Sequence, residues 1–216
     1  MRRLLLLSLL AGAAVAACSD PATPDRECQN CYYSFADTFP PDTFIFHWPA
    51  NRLPVRFWAD TRGPMRRWVS YGLAAWQQQF LYGEFRGVLV PDSSHADVIV
   101  TWQGTVPSDT AQPDTSTSPA CSGVTTNPEF FADSSVNALG ISIDVKAAYS
   151  DAAIAACLRR VTMHEIGHAL GLIRHSPFAQ DLMSAIPVVS WPSTEDRRTV
   201  EVLYHTAATI VPPPRP

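Results

Sequence analysis

The chain has no cluster of basic residues: 16 Lys and Arg against 20 Asp and Glu give a net charge of −4. Without a basic stripe there is no electrostatic footprint for a polyanion, and no nucleic-acid partner is expected. The chain also lacks any apolar run that would span a bilayer as a stable anchor, which needs about 20 residues. Cysteine is scarce, and its one Cys-x-x-Cys pair, Cys28 and Cys31, has no second pair with which to build a four-thiolate zinc site. What is plentiful is apolar residues, at 46%, enough for the core of one domain, and proline, whose 19 copies indicate a loop-rich, rigid-jointed chain.

Met1-Arg2-Arg3 followed by the apolar run Leu4–Ala17 reads as a secretory signal, residues 1–17. It ends Val15-Ala16-Ala17-Cys18, which resembles a bacterial lipobox. Cys18 is therefore expected to be lipidated, anchoring an exported cell-envelope lipoprotein to a membrane, on the periplasmic or surface side. Four cysteines remain: Cys28, Cys31, Cys121 and Cys157. An even number in an exported chain favours disulfides, here Cys28–Cys31 and Cys121–Cys157 among three possible connectivities. A redox or zinc half-site at Cys28 and Cys31, or a thiol that inhibits a metal, are the alternatives.

The chemistry-bearing stretch is VTMHEIGHALGLIRHSPFAQDLM, from Val161 to Met183. On a helix, His164 and His168 lie four residues apart on one face, about 6 Å apart along the axis, so both can reach one zinc ion. Glu165 leans into the same cleft without being a ligand, where a general base would sit. Gly171 ends the helix by accepting a left-handed backbone, and the returning chain can deliver His175 to the metal.

With its HEIGHALGL followed by His175-Ser176, this stretch resembles the metzincin zinc endopeptidases, and most closely their matrixin branch. The family pattern has two residues between the Gly and the third His, a position occupied here by Arg174. Because arginine stays protonated and offers no free lone pair, His175 is taken as the ligand after a one-residue insertion. Met183, eight residues after His175, corresponds to the family's Met-turn and would lie under the metal. The resemblance implies an α+β fold, a twisted mixed sheet carrying an N-terminal helix and the zinc helix. It also implies peptide-bond hydrolysis by a water that Zn²⁺ activates and Glu165 deprotonates. The cleft-edging strand implied at this point of the chain places substrate main chain against Gly140, Ile141, Ser142 and Ile143. Ser184–Trp191 would wall the pocket for the side chain just after the cleaved bond. A peptide or protein substrate and a monomer are expected. The alternative is a non-catalytic zinc-containing envelope lipoprotein that binds peptides or a protein partner.

Around the motif, residues 18–45 read as a tether and N-terminal segment, 46–208 as the catalytic domain, and 209–216 as a disordered Pro-rich tail. Leu53–Ala59, Phe85–Val90, Ala96–Trp102 and Ala138–Val145 read as strands. Met65, Val69, Leu73, Trp76 and Phe80 recur at helical spacing up to about Leu81, and Pro64 suits the start of that helix. Residues 103–122 read as a solvated loop. His95 and Asp97 suggest a second metal site weakly, since few imidazole partners remain. Ser150-Asp151 would cap the zinc helix, and Ser193 with Asp196 forms a carboxylate capping box.

Overall fold

The computed structural model describes residues 32–39, 42–61, 63–104, 121–131, 137–145 and 151–215. The signal segment, Cys18, Cys28 and Cys31 lie outside them, as do the middle of the 103–122 loop and the Ser150 cap. Strands β1 (Asp37–Phe39) and β2 (Asp42–Phe44) form a small antiparallel hairpin. Strands β3 (Val55–Ala59), β4 (Gly87–Leu89), β5 (Val98–Gly104), β6 (Cys121–Thr125) and β7 (Leu139–Val145) form a mixed sheet in the order β4-β3-β5-β7-β6. All neighbours in it are parallel except β6, which runs antiparallel to β7. Helices α1 (Met65–Gln77) and α2 (Asp151–Ala169) flank the sheet, and α3 (Thr194–Tyr204) follows. The fold is α+β.

Period-2 patterning explains the sheet's inner face. Val55, Phe57 and Ala59 alternate with partly exposed neighbours, and the register aligns Phe57 with Val98 and Val98 with Leu139. These rows, continued by Val100, Ile141 and Ile143, are buried beneath the helices. The helices approach closely because Gly72 leaves room: a Cβ there would come within 2.6 Å of Ile166 Cδ1. Trp76 crosses the same junction and donates from Nε1 to the Met163 carbonyl at 2.8 Å. Helix α1 stops at Gln77, short of Leu81, and Gln77 Oε1 accepts from Gly87 N of β4 at 2.9 Å, joining the helix end to the sheet. Cys157 of α2 is buried and disulfide-bonded. The side chain of Cys121, its expected partner, lies outside the described residues.

Both ends of the domain differ from expectation. Packing begins upstream of residue 46: Tyr33 is buried and donates its hydroxyl to Asp196 Oδ1 at 2.7 Å. The tail is ordered as far as Arg215. Ile210 is buried in a bridge to Phe46, and Thr209 N donates to the Ile45 carbonyl at 2.8 Å. Arg215 ends at Asp97, which is 2% exposed, donating from Nη2 to Oδ2 at 2.7 Å. Arg52 and Arg56 complete the shell at 3.1 Å and 3.4 Å. A carboxylate engaged by three guanidiniums is no metal ligand. His95 is exposed beside Asp92, so His95 and Asp97 form no second metal site.

Candidate metal centre

Helix α2 carries His164, Glu165 and His168 in its last turns, with His164 and Glu165 buried and His168 partly so. Its C-terminal end is fixed from outside: Trp48 Nε1 donates to the Ala169 carbonyl at 2.8 Å. Gly171 then takes φ +112°, and a Cβ there would lie 1.9 Å from the Phe46 carbonyl oxygen. Only glycine meets both demands. The chain turns back and brings His175 to the two helical histidines, with ring centroids 5.3 Å from His164 and 5.0 Å from His168.

The nitrogen positions identify the chemistry. His164 Nδ1 lies 2.7 Å from the Leu182 carbonyl and His168 Nδ1 lies 2.6 Å from the Leu172 carbonyl. A carbonyl only accepts, so each Nδ1 carries the proton and each Nε2 presents a lone pair. Yet His168 Nε2 stands 3.0 Å from His164 Nε2 and 3.3 Å from His175 Nε2. Lone pairs facing one another at that distance repel, and protonation does not relieve them. Burial pushes His164 down to about 4 and, together with the neighbouring His164, pushes His168 down to about 3; burial also lowers His175. Nitrogens around one tetrahedral zinc at about 2.0–2.1 Å are separated by about 3.4 Å, close to the spacing seen. Three converging neutral imidazoles therefore fit a divalent cation. Their carbonyl partners are the outer contacts that fix ligand orientation.

Arg174 has a separate destination. Arg174 turns away from the cluster to pair with Asp37 of β1, and next to it Ile173 N donates to the Phe35 carbonyl at 3.2 Å. These contacts tie the returning loop to the N-terminal segment and leave His175 in the histidine cluster. Met183 is fully buried beneath α2: a Cβ on Gly167 would lie 2.4 Å from its Sδ. Its backbone carbonyl accepts from Ser176 N at 2.8 Å, joining the His175-Ser176 segment to this turn.

Two residues that sequence reasoning missed or under-read complete the site. Asp196 is fully buried and does form the α3 capping box, but it also accepts from Leu182 N at 2.8 Å and Met183 N at 3.3 Å. It thus holds the segment whose Leu182 carbonyl orients His164. Thr125 of β6 donates to Glu165 Oε2 at 2.7 Å. Burial raises the Glu165 carboxyl to about 7, and this hydrogen bond works in the opposite direction. Gly123, also on β6, allows the close approach, since a Cβ there would sit 2.7 Å from Glu165 Oε1.

The cleft of about 710 Å³ runs over the cluster, lined by residues 122–128, Arg160, Val161 and Ala185–Pro187. Gly140–Ile143 do not line it. They belong to β7, an interior strand whose main chain pairs with β5 on one side and β6 on the other, with Ile141 and Ile143 in the core. The strand beside the cleft is β6, whose outer edge has no partner strand among the described residues. No protein-family model matches the chain, and no curated protein matches it.

Proposed function

We propose that this protein is a zinc-dependent endopeptidase, a metzincin-like enzyme exported to the cell envelope, anchored to a membrane through lipid on Cys18 and acting as a monomer on peptides or proteins. The reading rests on the resemblance of residues 161–183 to that family. The observation that carries it is the convergence of three imidazole lone pairs beside a buried carboxylate in an open cleft. His164, His168 and His175 would hold the ion. Zinc bound there supplies Lewis acidity, which polarises a peptide carbonyl and makes water a competent nucleophile near neutral pH.

The chain's own groups supply the rest. Glu165, held by Thr125, accepts the proton of the attacking water and passes it to the leaving amine nitrogen. Burial favours the proton-carrying form of this carboxyl, which suits the return of the proton to the leaving nitrogen. The edge of β6, which no strand pairs among the described residues, offers main-chain groups to an extended substrate, which adds as a further strand. Ala185–Pro187 also line the cleft.

The test compares zinc content and cleavage of an unfolded protein substrate by the mature chain and by Glu165→Ala. One zinc per chain in both, with cleavage reduced more than about a hundredfold in the variant, is expected. Zinc in both without cleavage in either would favour a zinc-containing peptide-binding lipoprotein. Absence of zinc would overturn the reading.

A further inference from the structure

His175 differs from the two helical histidines in having no hydrogen bond behind its ring. The Nδ1 atoms of His164 and His168 face the Leu182 and Leu172 carbonyls, whereas no hydrogen bond from the described residues reaches Nδ1 of His175. Its position therefore comes from the backbone on either side. Before it, Ile173 and the half-exposed Arg174 meet the N-terminal segment. After it, residues 177–180 are all exposed, so apolar burial does little to hold the loop that returns to Met183. What closes that loop is polar. Ser176, 5% exposed, donates its hydroxyl to Oδ2 of Asp181, 2% exposed, and the same Oγ accepts from Phe178 N at 3.1 Å. A carboxylate only accepts, so it takes the single hydroxyl proton and leaves a lone pair for Phe178 N. Asp181 N donates to the Phe178 carbonyl at 3.1 Å, and the Asp181 carbonyl accepts from Ser184 N at 3.2 Å. Asp181 also immediately precedes Leu182, whose carbonyl faces His164. One buried side chain thus joins the residue after His175 to the segment that orients His164.

Resting on the metal site of the proposed function, we infer that Asp181 is a positioning residue for the third ligand: through Ser176 it holds His175 against His164 and His168, in the arrangement that one divalent ion requires. It touches neither the ion nor a substrate. Its work is to replace, through the backbone, the ring hydrogen bond that His175 lacks.

The experiment measures zinc affinity of the mature chain by chelator competition at fixed pH. On the cobalt-loaded chain it also records the visible absorption bands, which report the number and arrangement of ligands. Asp181→Ala and Ser176→Ala are each expected to weaken zinc binding about ten- to a hundredfold and to weaken the cobalt bands, as water replaces a loosened imidazole. Ser176→Thr, which keeps the hydroxyl, should restore both. The double variant should lose no more than the weaker-binding single one, because both changes break the same contact. Additive losses would overturn the assignment. So would lower unfolding midpoints with unchanged affinity and spectrum in the folded fraction, the mark of a merely structural role. If Asp181→Ala does not fold, Ser176→Ala and its rescue by Ser176→Thr decide alone. Should the unmutated chain take up neither ion, the metal reading fails separately, and crystal structures of the metal-free chain and of Ser176→Ala decide this one. Displacement of His175 Nε2 from its place 3.3 Å from His168 Nε2 in the variant sustains the inference, and an unmoved His175 defeats it.

Discussion

At the residue scale, the site works because His164, His168 and Glu165 each have a second partner behind them. Removing His175 takes away one of three ligands, whereas removing Arg174 takes away only a half-exposed ion pair with Asp37. His175→Ala should therefore weaken zinc binding at least about a hundredfold and Arg174→Ala by no more than a few-fold, in chelator competition at fixed pH. The reverse order would reassign the third ligand. Thr125 gives a subtler prediction. Its hydroxyl stabilises the charged form of Glu165, so Thr125→Val should raise the acidic limb of the kcat/KM profile. The sign follows from the base having to be ionised: activity is present above the Glu165 pKa and falls as pH drops through it. Without a metal the carboxyl titrates at about 7, and a bound dication moves the limb lower. An unchanged limb in Thr125→Val would mean that the hydrogen bond does not persist in the working enzyme. His164, Glu165 and His168 are legible in the sequence because one helical repeat spaces them. Thr125 is not, because it reaches Glu165 from a strand 40 positions earlier.

At the scale of elements, the cluster depends on how the segment after α2 is held. Asp196 joins α3's first turn to the backbone of Leu182 and Met183, and Tyr33 adds a hydrogen bond from the N-terminal segment. Asp196→Ala leaves several buried donors unsatisfied at once. A loss of about 3 kcal/mol or more in denaturant unfolding is expected, with weaker zinc binding because the Leu182 carbonyl no longer orients His164. Asp196→Asn, which keeps the shape but not the charge, should lie between the two. If Asp196→Ala destabilised the fold while zinc affinity in the folded fraction stayed intact, the link to His164 would be wrong. The capping box itself is readable from Ser193 and Asp196, since capping is local; the reach to Leu182 depends on how α3 docks. Strand order shows the same division. Period-2 alternation locates β7, but alternation cannot say which neighbour lies at an edge. The family resemblance points to Gly140–Ile143 as the cleft strand, whereas the antiparallel return of β6 places that edge at residues 121–125.

At the scale of the whole molecule, the chain is closed by Asp97, where the turn before β3, the β3 strand, the start of β5 and the C-terminal tail meet. Composition suggests a loose Pro-rich end, because nothing local reveals that Arg215 has a buried counterion 118 positions away. Burial alone would raise the Asp97 carboxyl, but hydrogen bonds from Arg215 and Arg56, with the Arg215 charge, outweigh it and hold the group below its ordinary value. A carboxyl depressed on folding stabilises the native state at pH above its unfolded value of about 4 and loses that contribution as pH falls through the lower folded value. Arg215→Ala should cost about 1–2 kcal/mol at neutral pH, kept modest by the partial exposure of Arg215 and the two remaining arginines. The deficit should shrink below about pH 4, because a protonated Asp97 no longer attracts any of the three guanidiniums. Denaturant midpoints of the two proteins, followed from neutral pH down to about pH 3, test this. Converging curves locate the effect at Asp97, whereas a gap constant with pH would make the tail's contribution one of apolar packing by the buried Ile210 and Pro212.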